Sequence, residues 1–130
     1  MPLTTLVKGF DNIPEKLKTA TNSLYFRNTI LVYFEVEEKH LFKDNWLYIH
    51  SPNVKLGRIT NFRNWCPTIN KDKDTTILAL EYWCFEEDSI WSENDDDIIN
   101  LAKAELLRIK LSQKEINIIN SKVIRVPKCY

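Results

Sequence analysis

The segment 46–67 contains the densest mixture of aromatic and hydrogen-bonding side chains in the chain. Pockets that hold a small organic ligand combine apolar walls with a few convergent polar groups, and this segment has both. We therefore take it as the candidate ligand-binding segment. Its aromatic and hydrogen-bonding residues include Trp46, Tyr48, His50, Arg58, Asn61, Phe62, Asn64 and Trp65.

An ordinary hairpin explains the same composition, because its aromatic residues can fill a core while Arg58 and the asparagines lie on the surface. Composition alone favours this second interpretation. His50 has a side chain suited to acid–base chemistry, since an unperturbed histidine has a pKa of about 6.5. A single histidine at the end of a hairpin is, however, more often only solvated.

Glu81 lies between Leu80 and Tyr82 in the most apolar run of the chain. A carboxylate buried there needs a partner or a raised pKa. We interpret Glu81 as one half of a structural ion pair, with Arg58 or another basic residue, in preference to a catalytic acid. No Ser/His/Asp order, carboxylate pair or His/Cys metal cluster stands out, so we predict no catalytic set in this chain.

The three cysteines, Cys66, Cys84 and Cys129, are odd in number and contain no C-x-x-C pair. This spacing suits neither a disulfide framework nor a zinc site, so we predict reduced thiols. Cys84 lies inside an apolar run and is expected to be buried rather than nucleophilic. The acidic residues of segment 92–97 are expected to form a solvated helix start rather than a cation site.

Charge and hydropathy exclude several classes of partner. Lys plus Arg and Asp plus Glu both total 18, so no net field attracts nucleic acid or an anionic membrane. No apolar run approaches the roughly 20 residues that cross a bilayer, and the first ten residues lack the apolar core of a secretory signal. We predict a cytoplasmic protein without a membrane span.

The periodicity of the chain predicts a single α+β domain over residues 1–130. We expect an antiparallel-rich sheet of about five strands, with strand 75–85 central and two main helices packed on one face. The helices are predicted at 14–24 and from about residue 98 to 109, the latter capped by Ser92 or Asn94. Segment 2–10 is expected to be an extended lead-in. The predicted strands are 29–37, 46–50, 56–62, 75–85 and 118–126.

Strands 46–50 and 56–62 are separated by five residues rich in turn formers, so we predict a hairpin. Because side chains alternate in a strand, Arg58, Thr60 and Phe62 share one face, while Ile59 and Asn61 share the other. Only one of these two faces can belong to the core.

Glycine is scarce: Gly9 and Gly57 are the only two. A loop that cradles phosphates needs several glycines so that the backbone can approach the ligand. The sequence therefore contains neither a P-loop nor a dinucleotide-binding fingerprint.

Four stretches resemble a family of bacterial flavoproteins, the FAD-dependent amine-oxidase-like group that includes protoporphyrinogen-oxidase-like and UDP-galactopyranose-mutase-like proteins. The resemblance covers nearly the whole chain. The stretches are LYFRNT (24–29), NWLYIHSPNVKLGRITNFRNWCP (45–67), LALEYWCFEEDSIW (78–91) and RVPKCY (125–130).

The resemblance implies that this chain is the substrate domain that such proteins insert into their flavin-binding domain. FAD would then belong to the parent protein, with none in this fragment, and the partners would be the parent's flavin-binding domain and a small-molecule substrate. It further implies that the domain positions substrate. The residues implied to lie near the pocket are Arg58, Asn61, Asn64 and Trp65, followed by Tyr48 and His50. Cys66 departs from the family pattern, where Ser or another small residue is expected.

Two alternatives from other classes remain open. The first is a stand-alone protein-interaction or small-ligand module, which exposed Trp46 and Trp65 in one patch would support. The second is a small enzyme that uses Glu81 or His50 in a closed polar pocket. A domain separated from its flavin-binding partner should also expose an apolar surface, through which it can self-associate.

Overall fold

The computed structural model describes residues 2–71, 73–111 and 116–130. Within these ranges, five antiparallel strands form one sheet in the order β2-β3-β4-β1-β5. The predicted α+β class is confirmed. The helices are α1 (Leu3–Lys8), α2 (Glu15–Asn22), α3 (Phe62–Trp65), α4 (Ser89–Ser92) and α5 (Asp95–Arg108), and the strands are β1 (Asn28–Val36), β2 (Trp46–Tyr48), β3 (Arg58–Asn61), β4 (Thr76–Cys84) and β5 (Ile118–Val126).

Most of the predicted elements are found. β2 and β3 form the predicted hairpin, and β4 lies at the centre of the sheet. Helix α5 begins with the three acidic residues 95–97, and the side chain of Asn94 caps it by accepting a hydrogen bond from the Asp97 amide at 2.9 Å. In the part of the chain that the structure describes, no helix is long and apolar enough to cross a membrane.

The prediction of an extended segment 2–10 was wrong, because residues 3–8 form helix α1. Pro2 precedes this helix, and its carbonyl accepts hydrogen bonds from the amides of Thr5 and Leu6. The helix is six residues long and packs against α2. Isolated helices this short are not stable in water, so tertiary packing decides the conformation of this segment.

One face of the sheet, which we call the closed face, carries the core. Alternation along β1 and β4 directs a set of fully buried side chains to this face, and α5 packs its own buried residues onto them. The predicted burial of Cys84 is confirmed, and burial raises the pKa of its thiol. The core side chains include Ile30, Val32, Phe34 and Val36 of β1, Leu78, Leu80 and Tyr82 of β4, and Ile98, Ala102 and Leu106 of α5.

The opposite face, which we call the open face, carries different residue types. Alternation and register place here Trp46 and Tyr48 of β2, Arg58 and Thr60 of β3, Leu31 and Tyr33 of β1, Glu81 and Trp83 of β4, and Ile124 of β5. Tyr48 is 53% exposed and Trp46 is 42% exposed, whereas Glu81 is only 6% exposed. An aromatic, half-exposed face with a buried carboxylate differs from an ordinary solvated sheet surface.

Glu105 of α5 fixes the start of β3 from the closed side. Its two carboxylate oxygens accept hydrogen bonds from the backbone amides of Lys55, at 2.7 Å, and Leu56, at 3.0 Å. The side chain is buried, and Tyr82 lies close to it with a hydroxyl pKa raised by burial and by the nearby carboxylate. Glu105 thereby determines where the next residues, Gly57 and Arg58, enter the sheet.

Candidate functional site

A cavity of about 230 Å³ opens on the open face where β2, β3 and α3 meet. All but one of its lining side chains are uncharged, and most are aromatic. The lining residues are Trp46, Tyr48, Arg58, Thr60, Phe62 and Trp65.

Arg58 forms a two-point ion pair with Glu81, its direct cross-strand neighbour on β4. Nε donates to Oε1 and Nη2 donates to Oε2, both at 2.8 Å. On the other side, Nη1 donates to the hydroxyl of Tyr48 at 3.2 Å, and the guanidinium carbon lies 5.6 Å from the centroid of the Tyr48 ring. Three strands therefore hold one guanidinium in a fixed plane, because two-point pairs constrain direction as well as distance.

The ion pair explains the charge state of this site. Burial acts to lower the pKa of Arg58, but the hydrogen bonds to Glu81 and Tyr48 outweigh it and raise the pKa further above its ordinary value. Arg58 is therefore a permanent cation and a hydrogen-bond donor, and it does not exchange protons. The interpretation of Glu81 as one half of a structural ion pair is confirmed, and of the basic residues considered its partner is Arg58.

Two tryptophans form one wall of the cavity. The ring centroids of Trp46 and Trp65 lie 4.9 Å apart at an interplanar angle of 56°. Trp46 belongs to β2, while Trp65 is the last residue of α3. The rings remain 42% and 54% exposed, so the wall presents aromatic surface outward.

Gly57 allows a third aromatic residue to approach the hairpin. A Cβ atom at this position would lie 2.2 Å from a carbon of the Trp83 ring, so only glycine admits the ring. Trp83 in turn lies beside Tyr48, with 6.4 Å between ring centroids, and meets Tyr130 edge-on at 6.3 Å. Aromatic packing thus extends from the cavity toward β4 and the end of the chain.

The structure brings three of the six predicted site residues together: Tyr48, Arg58 and Trp65 all line the cavity. His50 is exposed beside Tyr48, with 6.4 Å between the ring centroids. Thr60 completes the lining and was not selected from the sequence, although the predicted alternation already placed it on the face of Arg58.

Asn61 and Asn64 support the cavity from outside its lining. Asn61 is 1% exposed and lies on the closed face, where its side-chain oxygen caps α3 by accepting from the Arg63 amide at 3.1 Å. The side-chain amide of Asn64 donates to the carbonyls of Phe42, at 2.8 Å, and Asp44, at 2.9 Å. These bonds position α3 and therefore Trp65; a direct contact of either asparagine with substrate stays a prediction.

Further cavities lie elsewhere in the described part of the chain. A cavity of about 640 Å³ lies along α1 and α2, lined by Lys8, Lys18 and other residues of these short helices. Among residues 2–71, 73–111 and 116–130, no group of three His, Cys, Asp or Glu side chains is placed to hold a metal. We favour the aromatic cavity over the cavity along α1 and α2, because the aromatic cavity combines aromatic walls with a cation whose orientation is fixed.

The chain shares its fold with part of several solved structures. No protein-family model matches the chain, and no curated protein matches it in sequence. Among solved structures, reduced UDP-galactopyranose mutase matches with a TM-score of 0.75 and 20% identity, over 100% of this chain and 28% of the other. A candidate protoporphyrinogen oxidase from Exiguobacterium sp. matches with a TM-score of 0.73 and 12% identity, over 100% of this chain and 28% of the other.

A protein from Pyrococcus furiosus also matches, with a TM-score of 0.64 and 12% identity, over 95% of this chain and 29% of the other. The chain thus spans less than a third of the length of the structures it resembles. The family resemblance predicted from the sequence is confirmed for the fold.

Proposed function

We propose that this chain is the substrate-binding domain of an FAD-dependent oxidoreductase of the amine-oxidase type, in which the open face forms the pocket wall opposite the flavin. The cavity beside Arg58 is the observation that carries this proposal, because it joins aromatic walls to one fixed cation on a half-exposed sheet face. The fold shared with part of a UDP-galactopyranose mutase and part of a candidate protoporphyrinogen oxidase supports it.

FAD itself belongs to a flavin-binding domain of the same parent protein. A dinucleotide cradle requires glycines whose free space admits the ligand's phosphates. Neither glycine of this chain provides that space, since the Trp83 ring fills the position beside Gly57 and Gly9 ends α1. The flavin supplies the hydride chemistry and this domain supplies orientation, so the chain alone is inactive.

Each cavity residue has a role in orienting a small substrate. Arg58 donates hydrogen bonds to a polar atom of the substrate, and Glu81 holds the guanidinium in place. Trp46, Tyr48 and Trp65 pack against the apolar part of the substrate, while His50 lies at the rim. The free thiols of Cys66, Cys84 and Cys129 agree with a cytoplasmic location, which belongs to the same proposal.

The test compares the visible spectrum of the purified chain with that of the protein expressed together with its flanking coding sequence. The longer protein is expected to show flavin absorbance, and the chain alone is expected to be colourless. A flavin bound by the chain alone would contradict the assignment of the cofactor to another domain. A colourless longer protein would contradict the flavoenzyme proposal as a whole.

The role of Arg58 is tested in the longer protein by comparing Arg58→Met with Lys122→Met. Both residues lie on the open face, but Lys122 is on the edge strand β5, away from the cavity. In Arg58→Met, the KM of the substrate that reduces the flavin is expected to rise, because a substrate contact is lost, while the flavin stays bound. Lys122→Met is expected to leave KM unchanged. Equal changes of KM in the two variants would contradict the substrate-binding role of Arg58.

A protein-interaction module is the second candidate, and the adjacent exposed rings of Trp46 and Trp65 favour it. In that case the longer protein is colourless, and the open face binds a second protein or a second copy of the chain. Light scattering of the wild-type chain and of a Trp46→Ala, Trp65→Ala variant measures the self-association. A concentration-dependent dimer that the double substitution abolishes, together with a colourless longer protein, would support this candidate, because a domain separated from a flavin-binding partner can also self-associate.

A further inference from the structure

We infer that the aromatic cavity takes an uncharged planar ring that carries an acceptor oxygen, and that Glu81 sets this preference for an uncharged ligand. The inference rests on the proposed function, since it assigns a ligand class to the same cavity. It follows from the charge, the shape and the free hydrogen-bond donors of the cavity.

The charge of the cavity is balanced before any ligand arrives. Arg58 is the one charged side chain in the described lining, and Glu81 engages it through two hydrogen bonds of 2.8 Å. An anionic ligand would have to leave water for a cation that is already paired, and a cationic ligand would meet Arg58 itself. Burying an unpaired charge costs far more than burying a neutral group. A neutral ligand therefore has the advantage.

The shape of the cavity suits one substituted ring. Aromatic side chains stand on both sides of Arg58: Tyr48 on one side along β2, and Phe62 and Trp65 at the end of β3. Aromatic groups prefer offset or tilted ring contacts, which these faces offer to a planar ligand. An apolar cavity of about 150 Å³ is enough for benzene. The volume of about 230 Å³ leaves room for a ring with one or two substituents.

The donors of Arg58 specify the substituent. A guanidinium has five N–H groups. Two of them bind Glu81 and one binds Tyr48. The two remaining N–H groups, one on Nη1 and one on Nη2, can donate hydrogen bonds but cannot accept them. They select a ligand with a carbonyl or hydroxyl oxygen at the edge of its ring.

Glu81 is therefore a positioning residue that also determines specificity. It is 6% exposed and lies beside Arg58 on β4, outside the cavity lining. Glu81→Gln keeps the size of the side chain and one acceptor oxygen but removes the compensating charge. The cavity then carries one uncompensated cation and should prefer an anion.

Three isosteric probes test this inference on the purified chain: benzamide, benzoate and benzamidinium, which are neutral, anionic and cationic. Their binding is measured by tryptophan fluorescence and by the shifts of the Trp46 and Trp65 indole N–H signals in two-dimensional NMR. Wild-type protein is expected to bind benzamide about tenfold more tightly than either charged probe, and Glu81→Gln is expected to bind benzoate about tenfold more tightly than wild type does.

Arg58→Met provides a second variant that does not depend on the stability of Glu81→Gln. It is expected to lose affinity for benzamide without gaining affinity for benzoate, whereas Lys122→Met is expected to bind all three probes as wild type does. Wild-type binding of benzoate as tight as that of benzamide would overturn the inference. Absence of binding of every probe, or an unchanged preference in a folded Glu81→Gln variant, would overturn it as well.

The ligand class and the proposed function can fail independently of each other, and the two failures are distinguishable. If the longer protein contains flavin and the probes show no preference for the neutral ring, the ligand class alone is wrong. If the chain prefers benzamide and the longer protein is colourless, the cavity is a neutral-ring site and the flavoenzyme proposal is wrong.

Discussion

The closed and open faces of the sheet are built from alternate residues of the same strands, yet they differ in chemistry. On β1, Val32 and Phe34 of the closed face are fully buried, while Leu31 and Tyr33, which alternate with them, are only half-buried. The closed face is mainly aliphatic and is covered by α5. The open face holds aromatic rings and an oriented ion pair. The contrast indicates that the closed face provides stability, whereas the open face leaves aromatic side chains accessible.

The largest expected effect separates two neighbours on β1. Phe34→Ala removes a fully buried ring from the closed face and should lower the free energy of unfolding by about 3–5 kcal/mol. Tyr33→Ala removes a half-buried ring from the open face, where it contacts Phe62 with 6.2 Å between centroids, and should cost about 1 kcal/mol. Urea denaturation of both variants measures the difference. Equal losses would contradict the division between the two faces.

The next effect concerns Glu105, which connects α5 on the closed face to the start of β3. Glu105→Ala leaves the amides of Lys55 and Leu56 without their acceptor, and should lower the free energy of unfolding by about 2–4 kcal/mol. Lys103→Ala, at an exposed position of the same helix, should change it by less than about 0.5 kcal/mol. A loss for Glu105→Ala as small as that for the control would show that this carboxylate does not fix the hairpin.

A smaller effect on stability is expected at Gly57 on the open side. Gly57→Ala places a methyl group where the Trp83 ring lies, and should cost about 1–3 kcal/mol by overpacking. Gly9→Ala is the matched control, since the nearest atom to its added Cβ is the Leu6 carbonyl oxygen at 3.3 Å, and it should cost less than about 0.5 kcal/mol. Adding Trp83→Leu to Gly57→Ala should recover part of the loss. Failure of this rescue would mean that the ring is not the obstacle.

The smallest effect is the pH dependence that Glu35 of the open face contributes. Hydrogen bonds from Asn120 and Thr75, with the nearby charge of Lys73, lower the pKa of Glu35 below its ordinary value of 4.5. Its stabilising contribution is therefore complete above that value and is lost as the pH falls through the lower pKa of the folded state. The difference in unfolding free energy between wild type and Glu35→Gln should shrink on acidification. A difference that grows as the pH falls would contradict this assignment.

The sequence was sufficient to predict the sheet because the strands alternate or are strongly apolar. It was also sufficient to predict that Glu81 is paired, since a carboxylate inside an apolar strand requires a partner, but it left the partner open between Arg58 and another basic residue. Helix α1 could not be predicted, because six residues carry too little periodicity and their conformation depends on packing against α2.

Of the six residues selected from the sequence, Tyr48, Arg58 and Trp65 line the cavity, and their contact with substrate stays a prediction. The family resemblance implied that Asn61 and Arg58 both lie near the pocket, whereas strand alternation assigned their side chains to opposite faces, and the structure shows them on opposite faces. The supporting role of Asn64 depends on the path of the loop that contains Phe42 and Asp44. No local pattern in the sequence specifies which loop carbonyls a side-chain amide will reach.

The most direct test of the open face as the functional side is covalent surface labelling, read by mass spectrometry, of the chain alone and of the protein expressed with its flanking sequence. Trp46, Tyr48 and Trp65 are expected to lose labelling in the longer protein, because the proposed function requires a flavin-binding domain to cover them, while exposed Leu107 on α5 keeps it. Protection of Leu107 with continued labelling of the three aromatic residues would contradict the account.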